Sequence, residues 1–222
     1  MSKKIFITGA AGFIGSHLVE KLFKDGYNLK LLVPYNVDNS WGWLDSLDEK
    51  IKNNIEIISG DVCDHDLIRK ITKDVNIIFH LAALISIPYS YVSPRSYIST
   101  NIIGTLNLLE VLKNSSIELF VNTSTSEVYG SAQYSPIDEE HPLNAQSPYA
   151  ATKISADQLC LSYYRSFELP ISVIRPFNTF GPRQSLRAAI PTIITQALKK
   201  EKTIKMGNTS TKRDFSYVSD TV

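Results

Sequence analysis

The sequence predicts an α/β protein: a doubly wound parallel sheet followed by the start of a smaller C-terminal cap. Three observations carry this. Short apolar runs alternate with segments of helical period from residue 1 to residue 177. A glycine-rich turn, TGAAGFIG, joins the first apolar run to the first helical segment. At Asn178 the texture changes to loop-like sequence and shorter elements. Strands separated by helices mean βαβ units with right-handed crossovers.

The elements follow in order. KIFIT is the first strand, and FIGSHLVEKLFKDG a helix whose apolar residues recur at helical spacing and whose Gly26 suits a stop. NLKLLV and IEIISGDV read as the second and third strands, with HDLIRKIT a short helix after them. VNIIFHLAA, nearly continuous in apolar residues, reads as a fourth strand covered on both faces. YISTNIIGTLNLLEVLKNS is a long helix, IELFVNTST a fifth strand, PYAATKISADQLCLSYYRSF a helix entered through Pro148, and ISVIRPF a sixth strand. Beyond it, NTFGPRQSLRAAIP reads as loop and TIITQALKKE as a helix. TIKMGN and KRDFSYV read as short strands about a turn. The expected division is therefore 1–177 for the sheet-bearing unit and 178–222 for the opening of a cap expected to continue past the chain.

Bulk properties exclude several classes. The 222 residues carry a formal net charge of +1, with 20% charged and 43% hydrophobic residues, so no strong field draws the chain to nucleic acid or anionic lipid. The apolar runs are too short to span a bilayer, and the N-terminal one is too short for a secretory leader, which predicts a cytoplasmic protein. Cys63 and Cys160 are read as reduced thiols, and His17, His65, His80 and His141 have no metal-ligand spacing.

Gly9, Gly12 and Gly15 form a GxxGxxG turn between strand and helix. Such glycines permit a tight turn, close approach of a pyrophosphate, and close helix–strand packing, while the helix N-terminus offers free N–H groups. Asp61, after the third strand, either accepts from an adenine amino group or caps a helix. The acid that would bind a ribose at the end of the second strand is missing; Val33 stands there, with Asp38 the nearest carboxylate and no arginine for a 2′-phosphate. NAD is the expected cofactor, with NADP left open.

The stretch NTSTSEVYG places Glu127 where a buried strand runs out, two residues from Thr125. Tyr149 and Lys153 are four apart on one helix face, so the ammonium can favour a phenolate able to take a hydroxyl proton.

Together, TGAAGFIGSHL, FHLAA, NIIGTLNLLE, STSEVYG, YAATK, RPFNTFGPRQ and RDFSYVSD resemble the extended short-chain dehydrogenase/reductases, mostly nucleotide-sugar enzymes on a Rossmann-type sheet. The resemblance covers the whole chain. It implies that Thr125 bonds the sugar hydroxyl to be oxidised, that Tyr149 is the base, and that Lys153 holds the nicotinamide ribose. It implies a cofactor site of Gly9, Gly12, Phe13, Ile14, Gly15, Asp61, Val62, Leu81, Ala82, Ala83, Thr100, Tyr149 and Lys153. Substrate contacts are implied at Ser86, Asn178, Arg187 and Arg213.

An acid at Glu127 is similar to the 4,6-dehydratase branch, where a base must remove the C5 proton once C4 is a ketone. Many such enzymes pair Asp with Glu; Ser126-Glu127 here resembles the GDP-mannose type, so Glu127 is expected to serve as base and acid, with Ser126 relaying a proton or holding a hydrogen bond. YNVDNSWGWLD, with two tryptophans in a polar loop, and FNTFGPRQSLRAAIPTIITQ resemble amino-sugar nucleotide dehydratases of the legionaminic type. The expected activity is thus an NAD-dependent 4,6-dehydratase of a UDP- or GDP-linked N-acetylglucosamine. A UDP-glucuronate decarboxylase, with Arg187 on the carboxylate, or a 4-epimerase is the alternative; a non-catalytic cofactor sensor is more distant. The resemblance further implies a homodimer paired through the helices carrying Leu106, Leu109 and Val111, and Ala156, Leu159 and Tyr163.

Overall fold

The computed structural model describes residues 3–200 and 202–222. Six parallel strands form the main sheet: β1 (Lys4–Thr8), β2 (Asn28–Val33), β3 (Glu56–Ser59), β4 (Ile77–His80), β5 (Leu119–Thr123) and β6 (Ile171–Ile174). Their order is β3-β2-β1-β4-β5-β6, the Rossmann arrangement, in which the chain reverses direction across the seam between β1 and β4. Strand alternation divides the core. Phe6, Leu32, Ile78 and Phe120 pack on one face, and Ile5, Ile7, Leu29, Leu31 and Val33 on the other.

Helix α1 (Phe13–Lys24) covers the second face through Leu18, Val19 and Leu22, and Gly26 takes the positive φ of +85° after its end. A 3-10 turn (Gly42–Ser46) and α2 (Glu49–Lys52) extend that cover with buried Leu44, Leu47 and Ile51. On the first face lies α3 (His65–Ile71), capped by Asp64. Two short helices, α4 (Ile87–Val92) and α5 (Pro94–Tyr97), then lead into a six-residue π-helix (Ile98–Ile103) and α6 (Gly104–Leu112). Helix α7 (Pro148–Phe167) starts at Ser147, whose hydroxyl accepts from the Ala150 N–H.

The six strands and the main helices fall where the hydrophobic pattern put them. Differences are local. The long helix before β5 is interrupted by the π-segment. NTFG, read as loop, supplies β7 (Asn178–Phe180), which pairs in parallel with β8 (Phe215–Tyr217) in a separate two-stranded sheet. TIKMGN forms no strand: β7 takes the partner position beside β8, and Ile204 and Met206 are 42% and 48% exposed. Helix α8 (Ala189–Leu198) starts three residues before the predicted TIITQALKKE stretch, taking in residues 189–191, read as loop, and ends before Lys199 and Lys200; Glu201 lies outside the described residues. The last helix, α9 (Val218–Thr221), follows β8 directly.

The segment after β6 is strapped to α1. The Arg183 guanidinium makes a bidentate pair with Glu20 (3.1 and 2.9 Å) and donates to Ser16 Oγ, while a ring nitrogen of His17 meets the Pro182 carbonyl at 3.1 Å.

The helix faces expected to pair between copies are partly spent inside the subunit, with Leu106 left half-buried. Leu109 and Ala156 are fully buried within the subunit, and Val111, Leu159 and Tyr163 pack against its core. Ile98, Ile103, Tyr164 and Phe167 are the large apolar residues those helical segments leave exposed. Cys160 is buried and Cys63 partly so, both as free thiols. No helix among the described residues is long and apolar enough to cross a membrane.

Candidate active site

The glycine turn sits at the carboxyl edge of β1, beside the seam. Gly9 has φ +72°, and a Cβ there would lie 2.6 Å from the Leu81 carbonyl carbon. A Cβ on Gly15 would stand 2.2 Å from the Gly9 carbonyl oxygen. Both positions therefore require glycine for packing within the turn. Gly12 is different: it is exposed, and it is the N-cap of α1, with no side chain capping the helix. The free first-turn N–H groups and the bare Gly12 make a cradle open to an anionic group. Phe13 and Ile14 start that helix, and the ring of Phe13 meets His17 edge-on. A dinucleotide pyrophosphate fits this cradle.

Across the seam, Leu81 N donates to Thr8 O (3.1 Å) and Ala82 N to Thr8 Oγ1 (3.1 Å), which sets Leu81, Ala82 and Ala83 against the turn. His80 fixes this junction from below. Its ring is fully buried, with Nδ1 2.7 Å from Thr8 Oγ1 and Nε2 3.0 Å from Thr105 Oγ1. Thr105 spends its one hydroxyl hydrogen on the Asn101 carbonyl at 2.7 Å. It must therefore accept from Nε2–H, leaving Nδ1 to accept from Thr8. Burial, with Lys153 adding to it, drives His80 down to about 3, in keeping with this neutral ring.

The π-segment has a comparable purpose. Asn101, 1% exposed, accepts from Leu84 N (2.8 Å) and donates to Leu84 O and Thr152 Oγ1 (both 3.0 Å). One amide thus ties the loop after β4 to α7. Asn101 stands in NIIGTLNLLE beside other polar residues, Thr105 and Asn107, so the sequence alone assigned it no role.

Thr125, Ser126 and Glu127 follow β5 directly. Thr125 is the N-cap of a 3-10 turn (Ser126–Tyr129), and its Oγ1 accepts from the Glu127 N–H at 3.2 Å. Ser126 N donates to the Pro176 carbonyl (3.2 Å). Tyr149, in the first turn of α7, is 7% exposed. Burial pushes its phenol up to about 12; the nearby Thr125 hydroxyl offsets part of this, and the Glu127 carboxylate adds to it. Thr125, Glu127 and Tyr149 therefore share one small volume.

Lys153 is one turn further along α7. Its ammonium donates to the Thr123 carbonyl at 2.7 Å. The β5 backbone thus holds the ammonium one turn from Tyr149. Burial lowers Lys153 to about 8, countered by Asp157 a further turn along. Asp157 is itself fully buried and accepts from Ser124 Oγ (2.9 Å), Arg175 Nε (3.0 Å) and Asn122 Nδ2 (3.2 Å). Asp157 and Arg175, which the sequence reading passed over, brace the base of the site; a third α7 position at the Tyr–Lys spacing was the clue.

The remaining candidates are less concentrated. Asp61 is not a helix cap; Asp64 is, and Asp61 Oδ1 accepts from Cys63 N at 2.9 Å. The Val62 side chain is core, packed where a Gly104 Cβ would stand, and its carbonyl accepts from Asn107. Thr100 lies in the π-segment and Ser86 caps α4. Asn178 is in β7, its N–H on the Asp214 carbonyl. Arg187 borders a cavity of about 370 Å³ with Thr192, Lys205 and Met206. Arg213 is exposed before β8, and no contact joins it to Arg187.

Residues 6–222 match the family model described as GDP-mannose 4,6 dehydratase. The chain is 35% identical to UDP-glucuronic acid decarboxylase 1 of Xenopus tropicalis over 99% of its own length and 52% of that protein's. Among solved structures, a UDP-N-acetylglucosamine 4-epimerase from Methanobrevibacter ruminantium M1, in complex with UDP-N-acetylmuramic acid, superposes with a TM-score of 0.89 at 36% identity, covering 99% of this chain and 70% of that one. The dTDP-glucose 4,6-dehydratase of Bacillus anthracis, in complex with NAD, gives 0.86 at 32% identity, covering 99% and 69%. The chain thus spans between about half and seven tenths of these proteins.

Proposed function

Because this chain belongs to the GDP-mannose 4,6-dehydratase family of NAD-dependent nucleotide-sugar enzymes, we propose that it is a 4,6-dehydratase of a UDP- or GDP-linked N-acetylglucosamine. The observation that carries the reading is Glu127: a carboxylate two residues from Thr125 and close enough to Tyr149 to bear on its ionisation. Interconverting C4 epimers has no use for a second base there, whereas dehydration does.

NAD, when bound, takes hydride from sugar C4 and returns one to C6. The chain's own residues do the rest. Thr125 hydrogen-bonds the C4 hydroxyl, and Tyr149 accepts its proton. A phenol held near 12 needs a cation beside it to do so, and Lys153, released from the Thr123 carbonyl, is the chain's own. With C4 a ketone, the C5 proton is acidified and Glu127 removes it. Glu127 then delivers a proton to the departing C6 hydroxyl, so water leaves and a 5,6-alkene forms. Addition of hydride at C6 and a proton at C5 completes a 4-keto-6-deoxy sugar. Ser126, its backbone fixed on Pro176, holds a hydrogen bond near the leaving group.

The same reading assigns Asn178, Arg187 and Arg213 to the substrate diphosphate, and the division 1–177 and 178–222 to cofactor and substrate binding. It also places the protein in the cytoplasm as a homodimer paired through Ile98, Ile103, Tyr164 and Phe167. The test is product mass after incubating the full-length protein with UDP- and GDP-linked N-acetylglucosamine. Loss of one water supports the dehydratase. An unchanged mass with inverted C4 marks an epimerase, and carbon dioxide released from a UDP-uronate marks a decarboxylase; either overturns the proposal.

A further inference from the structure

The loop after β2 is built onto the glycine turn. Leu44 and Leu47, 0% and 4% exposed, anchor it in the α1 side of the core. Trp43 N donates to the Ala11 carbonyl at 3.1 Å. Gly42 takes φ +61°, and a Cβ there would stand 2.9 Å from that same carbonyl oxygen, so only glycine lets the loop come this close. Inside the loop the Asp45 carboxylate accepts from Trp41 N (3.0 Å) and Ser40 Oγ (2.6 Å), and Asn36 Nδ2 donates to Ser40 O (2.7 Å). The segment is therefore internally braced. Yet it leaves Trp41 and Trp43 40% and 43% exposed beside the turn, a costly place for two indoles unless something covers them.

Charge narrows what covers them. Residues 34–48 contain Asp38, Asp45 and Asp48 and no lysine or arginine. Asp45 is spent within the loop and Asp48 caps α2, which leaves Asp38 as the exposed charge. An aromatic, acid-bearing wall at the carboxyl end of β2, beside a phosphate cradle, matches the adenosine half of a dinucleotide whose 2′-hydroxyl is free.

We propose that Trp41-Gly42-Trp43 forms the adenosine-side wall of the cofactor site, with Trp43 stacking on the adenine, and that this loop selects NAD over NADP in place of the acid missing at Val33. The proposal rests on the dinucleotide reading of the glycine turn. Aromatic stacking gives affinity without a hydrogen-bond code, and a loop with no cation and a free carboxylate disfavours a 2′-phosphate.

These two tryptophans are the only ones in the chain, so their emission reports on this loop alone. Cofactor-stripped protein is titrated with NAD, NADH and NADP while indole emission is followed. NAD should quench it, NADH should show energy transfer from indole, and NADP should bind at least about tenfold more weakly. Trp43→Ala should weaken NAD roughly tenfold, and Trp43→Phe should recover most of that, with both variants melting near the parent temperature. If NAD binds the parent but Trp43→Ala binds it equally well, or if NADP binds as tightly as NAD, the proposal is wrong and the cofactor reading stands. If the parent binds no dinucleotide by equilibrium dialysis, the cofactor reading itself falls.

Discussion

Two parts of the molecule are built on opposite plans. Around Thr125, Tyr149 and Lys153 most polar groups are buried and hydrogen-bonded: His80, Asn101, Thr105, Lys153 and Asp157 are each 3% exposed or less, while Asn122 donates to Asp157 and leaves its Oδ1 without a partner. From residue 178 onward, Thr179 and Val218 are the buried residues among those described, and Arg187 and Arg213 stand in solvent. Charge divides the same way. Residues 1–177 carry fifteen Lys and Arg against nineteen Asp and Glu; residues 178–222 carry eight against three. A site that moves protons needs groups fixed to fractions of an ångström before substrate arrives. On the proposed reading the C-terminal part gathers a diphosphate, which needs reach and positive charge, and solvated arginines offer both.

The sharpest way to break this comparison is at the buried end. Tyr149→Phe should lower turnover by ~10²–10⁴-fold, toward the upper end, because the first proton has no acceptor. Stopped-flow absorbance should then show no reduced cofactor forming with substrate. Glu127→Gln should lose a similar or smaller factor, on the other side of the ketone. Reduced cofactor should accumulate with substrate bound, and exchange of the C5 proton with deuterated water should slow in step with turnover. Parent-like exchange in that variant would remove Glu127 from the mechanism.

His80 tests the bracing rather than the chemistry. Its ring stays neutral in the fold down to about 3, whereas an unfolded histidine takes a proton near 6.5. The unfolded chain thus binds more protons between these values. The contribution is whole above pH 6.5 and is lost as pH falls toward 3, at up to about 1.4 kcal/mol per pH unit. Urea midpoints at pH 7, 6 and 5 should fall more steeply for the parent than for His80→Gln, whatever the variant's stability at pH 7.

The smallest effect belongs to the solvated end. Arg213→Ala should raise KM about tenfold, with kcat within about twofold and a weakened dependence of KM on salt. A fall in kcat equal to the rise in KM would mean that Arg213 acts in the transition state, and the contrast between the two regions would dissolve.

How much of this was legible depended on how far apart the cooperating residues lie. The six strands, the glycine turn and the Tyr149–Lys153 spacing are local patterns, written within a few residues, and each is where the pattern put it. Strand β7 is three residues long and exists only because Phe215–Tyr217 lies beside it, so periodicity had nothing to count. The π-segment follows from what the Asn101 amide finds at Leu84 and Thr152. The Lys153–Thr123 bond and the Asp157–Arg175 pair are likewise made between elements. Motif spacing picked out the candidate reacting groups; the hydrogen bonds made between elements were out of its reach.

The strap over α1 has a consequence for how the protein is made. Arg183 lies 167 residues after Ser16 and 163 after Glu20. At a synthesis rate of about 5–20 residues per second, α1 leaves the ribosome roughly 8–30 s before its partner exists. Thr8, on the strand feeding the glycine turn, waits a shorter time for His80, 72 residues on. The glycine turn is thus made well before the contacts that close over its helix. A nascent chain stalled before β7 would carry the whole phosphate cradle with Glu20 still lacking Arg183, a state open to chaperones and to early capture of a nucleotide alike.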